Sequence, residues 1–528
     1  MINHLTMFIR ESAFQLLISH IWCTMKRILT LTILLICVIA ILAAGCTTAP
    51  ASAPASEGDT LFSQAEHEFQ NNNLHAATQL FRLAQENYTA ADNTAAALNA
   101  RDRVMTMQMM TVNFPYNRST LDRQLAGFFP DLSAAQRAAL MDDPGAVTLT
   151  TDGEVWYFDD FISNIIWHNM TIMQNANAAE HYTPFYDELA PLALAPQTGG
   201  AGHYSDPVAW EGLEDIAVPR DRLPANGTLK LWIPLPIEYG PQANVTIMSL
   251  EPAQYLRSTT GTGADLGLAY FEIPLDEIHD PFVNVSARFR FTEYTRRFII
   301  DPVKVRPYNI SDPEYRKYTA PTTNIALTPE MKKKAQEIIG NETNPYLQAQ
   351  MIYQYISETL PYGHGPNSLL GATGKPLSVY VLETGIGDCG LQSQYFAALC
   401  RSIGIPARVP IGYQMILKPA GVHVWAEYYM EGYGWIPADV TVAEGADWSY
   451  NATEQERERY RDFFSRNLDP YRYIIQKDVD VPLSPEPGTD KVVLPSFVFQ
   501  HPVVVCDTCT ENPSMMILEY WTVSVTRA

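Results

Sequence analysis

Between Thr384 and Cys400 the chain reads TGIGDCGLQSQYFAALC. Leu391, Tyr395 and Leu399 recur at every fourth position, with Phe396 and Ala398 beside them, which makes one apolar face of a helix. The pattern ends at Gly404 and Pro406 follows, the usual punctuation of a helix terminus. Cys389 therefore stands where a helix begins, after two glycines that let the backbone turn sharply. A helix N-terminus carries unpaired N–H groups and a partial positive charge. Both favour thiolate over thiol, and thiolate is the nucleophile. The same N–H groups can hold the oxyanion formed when sulfur attacks an amide carbonyl. A buried structural cysteine satisfies the pattern about as well, and that is the better account of Cys400, which sits beside Leu399 and Ile403.

A thiolate nucleophile needs a proton shuttle, and an imidazole needs an acceptor to orient it. Downstream the chain reads GVHVWAEYYMEGYGWIPADVT. His423, Trp425, Glu427 and Tyr429 alternate onto one face of a strand, and Asp439 ends a second run after Trp435 and Pro437. Two strands joined by a short turn should pair and bring His423 near Asp439. Register then decides whether they meet, because a slip of one residue turns a side chain to the opposite face. A four-residue loop, Glu431 to Gly434, would pair Met430 with Trp435 and turn Asp439 away. A three-residue loop, Glu431 to Tyr433, would pair Met430 with Gly434 and set His423 and Asp439 on one face. A β-bulge could make the same correction.

GIGDCG, LCRSIGIPARVPIGY, HVWAEYY and GWIPADVT together resemble the core of the transglutaminase-like superfamily. The resemblance spans about Leu327 to Val442. It implies a papain-like fold and a Cys-His-Asp triad, with Cys389 as nucleophile, His423 as general acid–base and Asp439 as its orienting partner. Tyr362, in ISETLPYG, matches an upstream aromatic of the family, which implies a part in the oxyanion site. The implied step is attack on a carboxamide or peptide carbonyl, with ammonia or an amine leaving. Water as acceptor gives a peptidase or deamidase, and a lysine amine gives a cross-linking acyltransferase. Hydrolysis is the expectation, since water needs no second binding site. A different class is a non-catalytic envelope protein that uses the fold to bind peptides.

The chain has 528 residues, too many for one core, and the patterns along it divide. Leu61, Ala65 and Phe69, then Leu74, Ala77, Phe81 and Ala84 after an NNN break, read as a helical hairpin resembling one tetratricopeptide unit, with a third helix around Thr94 to Met110. Residues 113 to about 190 mix a helix (SAAQRAALM), a hairpin around the DG of TTDGEVWYF and a helix near Phe158 to Met173. LKLWIPLP, ANVTIMSL, AYFEIPL and VNVSARFRFTEY are short alternating runs that point to a β-sandwich, loosely like the one preceding the core in many family members. The expectation is an α+β multidomain chain: an N-terminal extension 1–24, a signal or anchor 25–45, a linker 46–58, a helical region 59–112, a mixed helical region 113–203, a β-sandwich-like domain 204–310, a transglutaminase-like core 311–450 and a C-terminal segment 451–528.

After Met25, Lys26 and Arg27 comes the apolar run ILTLTILLICVIAILAAG, then Cys46 and a linker rich in Ala, Ser and Pro. Cysteine directly after AAG resembles the lipobox of prokaryotic lipoproteins, which implies lipidation at Cys46; an uncleaved anchor helix is the alternative. Either tethers the rest at the extracytoplasmic face of the cell membrane, and residues 1–24 then read as a misplaced start. Nine N-x-S/T sequons, at Asn87, Asn117, Asn169, Asn226, Asn244, Asn284, Asn309, Asn341 and Asn451, agree with export in a cell that glycosylates asparagine. In that setting Cys506 and Cys509 should form a local disulfide, whereas Cys389 and Cys400, about 16 Å apart along one helix, cannot pair. A net charge of −22 argues against nucleic acid. The expected partners are the membrane and a protein or peptide substrate of the envelope. No run has metal-ligand spacing, so no cofactor is expected.

Overall fold

The computed structural model describes residues 56–143, 145–168, 178–196, 202–416, 419–448, 451–487, 499–509 and 512–528, and of 178–185 the backbone only. Residues 1–24, the stretch 25–45, Cys46 and most of the linker 46–58 lie outside them, as does Asn169. Glu57 and Gly58, assigned above to the linker, already belong to the helix Glu57–Gln70.

Two further helices follow, Leu74–Ala90 and Thr94–Asn113. The asparagine run supplies the first turn, with Asn72 at a φ of 59°, a conformation asparagine tolerates better than most residues. Ala77, Phe81 and Ala84 are fully buried, so the i+4 spacing seen in the sequence is the packed face. Next come two short helices and a three-stranded sheet. Its hairpin, Thr148–Thr151 with Glu154–Tyr157, turns on Asp152 and Gly153, both at positive φ. The helix expected near Phe158 to Met173 covers Phe161–His168, and residues 169–177 are outside the described set.

The middle of the chain builds two four-stranded antiparallel sheets. One runs, in spatial order, Trp521–Arg527, Tyr204–Pro219, Phe282–Arg296 and Gln242–Glu251. The other runs Val503–Cys506, Thr228–Pro234, Leu268–Pro274 and Leu256–Thr259. Ile216, Val285 and Ala287 of the first share an apolar cluster with Leu231, Phe271 and Val504 of the second. The strand Tyr204–Pro219 escaped the alternation pattern because two of its inward positions are Gly212 and Glu214. Gly212 is small for a reason: a Cβ there would lie 2.1 Å from the Phe289 ring opposite. Both sheets are completed by strands from the C-terminal segment 451–528, which is thus shared out among neighbours.

The core gathers the helices Pro329–Ile339, Pro345–Thr359 and Cys389–Ser402 against two three-stranded antiparallel sheets. From Leu391 to Arg401 every residue of the last helix is buried, so it is the central element rather than a surface one. One sheet orders Ala407–Arg408, Ala426–Met430 and Gly434–Ala438; the other orders Gly421–Val424, Ile411–Gln414 and Arg472–Gln476. The run from His423 to Tyr429 is therefore divided between two sheets. The break falls at Trp425, opposite Pro410, whose missing N–H interrupts the ladder. The hairpin register follows the three-residue loop: Met430 opposes Gly434 and Ala426 opposes Ala438.

Candidate active site

Cys389 is the first residue of its helix, as its position after GIGD requires. Asp388 caps it, its Oδ1 accepting from the Leu391 N–H at 2.9 Å, a contact that adds about 1 kcal/mol to a helix. Gly387 bridges the backbone of Tyr362, so the chain enters the helix along a fixed line. The residue keeps part of its surface open, but packing around the sulfur is dense. This desolvation first, and the Asp388 carboxylate second, push the thiol above its ordinary value; Asp439 adds to the rise, and the N–H groups of Val424 and Gly390 oppose it. The helix terminus alone, as read from the sequence, favours thiolate; the adjoining carboxylate and the enclosure outweigh it.

His423 lies next to Val424 in the strand Gly421–Val424 and is 9% exposed. Its Nε2 is 2.8 Å from Asp439 Oδ2. Because that nitrogen faces the carboxylate, the carboxylate fixes the tautomer, and Nδ1 is the nitrogen left for a thiol. Asp439 follows the strand Gly434–Ala438, is wholly buried, and accepts from the Val442 N–H at 3.2 Å. Arg472 Nη1 stands 2.6 Å from the same Oδ2, as an ion pair rather than an aligned hydrogen bond. Asp469 in turn grips Arg472 through Nε at 3.0 Å and Nη2 at 2.8 Å. Burial by itself would raise the Asp439 carboxyl; His423 and Arg472 overcome it and hold the group well below the usual carboxylate range. The result is an anion that orients an imidazole without competing for its proton.

Tyr362 is half-buried between Trp167, with ring centroids 5.1 Å apart, and His364 at 5.8 Å. Its backbone is at the entrance to the helix. Cys400 is fully buried on the same helix as Cys389. Cys506 and Cys509 are disulfide-bonded beside the outer strand Val503–Cys506. Among the described residues no group of three or more His, Cys, Asp or Glu side chains could hold a metal ion, and no helix is long and apolar enough to cross a membrane.

Three contributors were missed in the sequence. Arg472 comes from the C-terminal segment. So does Gln500, whose Nε2 donates to the carbonyls of His423 and Gly412, both at 3.0 Å. Asp160 bonds His364 Nδ1 at 2.9 Å from a segment 204 residues earlier. No local pattern flags any of these, because each acts across a long stretch of chain.

The family model described as the transglutaminase-like superfamily matches residues 332–440, a stretch that includes Tyr362, Cys389, His423 and Asp439. An uncharacterized protein of Haemophilus influenzae is 26% identical over 254 residues, covering 43% of this chain and 66% of that protein. A protein-glutamine gamma-glutamyltransferase of Pseudomonas aeruginosa is 31% identical over 124 residues, covering 21% of this chain and 18% of that enzyme. The chain thus spans less than two thirds of either relative. A solved structure of a candidate cysteine protease from Cytophaga hutchinsonii is 16% identical and superposes with a TM-score of 0.37, covering 61% of this chain and 99% of the other, a likeness too loose to bear on activity. Residues 332–440 of this chain are a core of the transglutaminase-like superfamily.

Proposed function

We propose that the chain is a thiol hydrolase acting on peptide or carboxamide bonds, with Cys389 as nucleophile, His423 as proton carrier and Asp439 as the group that orients it. The observation that carries this reading is the His423–Asp439 contact at 2.8 Å, next to a helix that begins at the cysteine. His423 Nδ1 takes the thiol proton, and the sulfur attacks the carbonyl carbon. The oxyanion is met by N–H groups at the helix start. The C–N bond then breaks, the departing amine or ammonia takes the proton from His423, and a thioester remains. Water, deprotonated by the same imidazole, releases the acid and restores the thiol. Asp439, held ionised, keeps the ring aligned throughout.

The relative named a protein-glutamine gamma-glutamyltransferase favours a second reading, in which an amine rather than water takes the acyl group. In the wider proposal the chain works at the outer face of the cell membrane, tethered through a lipid on Cys46 or an anchor helix over 25–45, and acts on envelope peptides. Its helical hairpin then serves as a tetratricopeptide-like spacer, and its paired four-stranded sheets as the sandwich ahead of the core. Incubating the purified protein with envelope peptides and a primary amine probe, read by mass, separates cleavage, deamidation and amine incorporation. Cys389→Ala should abolish all three while the thermal melt stays in place. Activity that survives in that variant removes the assignment.

A further inference from the structure

The loop between Leu360 and Pro366 runs along the entrance to the helix that carries Cys389. Besides the bridge between Tyr362 and Gly387, the Gly363 N–H donates to the Gly387 carbonyl at 3.1 Å. The other side of the loop is clasped by the helix Phe161–His168, which lies outside the family match. Asn164, 7% exposed, satisfies both backbone groups of one residue: its Oδ1 accepts from the His364 N–H at 2.8 Å, and its Nδ2 donates to the His364 carbonyl at 3.0 Å. The approach is tight, since a Cβ on Gly363 would fall 2.7 Å from His168 Nε2. Asp160, just ahead of that helix, takes His364 Nδ1 at 2.9 Å. One imidazole is thereby fixed at both its backbone and its ring.

What surrounds that imidazole is negative. Asp160, bonded to it, and Asp159 act on it electrostatically from the segment before the helix Phe161–His168, and Asp388 does so from the cap of the Cys389 helix. His168, against the same loop, is held below its ordinary value by burial. Burial would lower His364, but the bond to Asp160 and the charges of Asp388, Asp160 and Asp159 outweigh it and raise the group. Burial raises Asp388, and among the influences that pull it back His364 is the largest. Asp388 is also the charge that most opposes a thiolate at Cys389.

We propose that Asp160 and His364 are a positioning pair for the nucleophile: an imidazolium, fixed on the loop that pairs with Gly387, whose charge offsets that of Asp388 beside the Cys389 sulfur. This rests on Cys389 being the nucleophile proposed above. The pair makes and breaks no bond; His364 keeps its proton through turnover while His423 carries the one that moves. As pH rises and His364 loses its proton, Asp388 is uncovered and the thiolate becomes harder to form.

The test reads the sulfur directly. The full chain is alkylated with iodoacetamide from about pH 5 to about pH 9, and labelling is followed on the peptide that contains Cys389, which separates it from Cys400. His364→Gln should move the rise of the profile upward by roughly one unit, which is about tenfold slower labelling at neutral pH. Asp160→Asn should move it the same way by less. His364→Lys, which keeps a cation at a half-exposed position, should restore most of the rate. A His364→Gln profile that superimposes on the wild type overturns the proposal. Equal losses in the Gln and Lys variants overturn it too, because the pair would then act by packing rather than by charge. A shifted labelling profile in a protein without peptide or amide activity would leave the pair standing and remove the enzyme reading instead.

Discussion

Two buried carboxylates belong to one hairpin, Asp439 just past its second strand and Glu427 in its first. Burial opposes the charge of both, and it is overcome at Asp439 by His423 and Arg472 and at Glu427 by Arg408 and Arg296. Glu427 is gripped by Arg408 through Nε and Nη2, each at 2.9 Å, by Arg296 and by the Tyr239 hydroxyl. Arg408 is itself packed on Trp435, its guanidinium carbon 3.8 Å from the ring centre. Arg296 and Tyr239 come from the region of the four-stranded sheets, so this cluster fastens that region to the core. Every cation in it is permanent. Asp439 differs in one partner, an imidazole in place of a second guanidinium. A buried ion pair by itself therefore says little about catalysis; what sets this pair apart is the histidine.

The largest test of that contrast is Asp439→Asn. The imidazole would lose its orienting anion while Arg472 keeps Asp469, so kcat on a model peptide should fall about a thousandfold or more with the melting temperature little moved. Glu427→Ala should behave oppositely, leaving two guanidinium groups buried without their anion at a cost of about 3–5 kcal/mol in denaturant titrations. The folded fraction should keep near-normal kcat, and an inactive but fully stable Glu427→Ala protein would collapse the distinction.

Glu214 sharpens it from a third side. It is completely buried, its partners among the described residues being the Tyr473 hydroxyl, at 2.6 Å, and the Trp521 indole, and burial pushes it up to about 8. A carboxyl raised in the folded state contributes fully below its unfolded value of about 4.3 and loses that contribution as pH rises through the folded value. Between about pH 5 and pH 8, then, the wild type should lose stability relative to Glu214→Gln, by on the order of a few kcal/mol. A gap that does not change with pH would mean Glu214 is ionised in the fold. Smallest of all, Cys400→Ala should cost about 1–2 kcal/mol with activity retained, because that sulfur is only packing.

Local pattern carried much of the core. Leu391, Tyr395 and Leu399 announce a helix because their spacing is its pitch, and parity asked for an even register, such as Met430 opposite Gly434, or a bulge if Asp439 was to reach His423. The break at Trp425 was hidden because its cause, Pro410, lies in another part of the chain, between the strands Ala407–Arg408 and Ile411–Gln414. The strand Tyr204–Pro219 was hidden because Gly212 and Glu214 occupy inward positions where apolar residues are expected. Arg472, Gln500 and the Asp160–His364 contact were beyond reach for a common reason. Their meaning depends on which distant segment folds beside them, and a charged or amide side chain in a loop looks the same whether it faces water or a buried histidine. The raised thiol belongs here as well, since Asp388 is legible as a helix cap but its effect on Cys389 depends on how much solvent the fold removes.

The placement of Arg472 and Gln500 also orders events during synthesis. The cysteine, the histidine and the aspartate leave the ribosome before the arginine that steadies Asp439 and the glutamine that holds the His423 backbone. The strands Val503–Cys506 and Trp521–Arg527, which complete both larger sheets, come later still. Contacts of such long sequence separation form late and slowly. A nascent chain therefore exposes the Cys389 thiol before the contacts that steady Asp439 and the His423 backbone have formed.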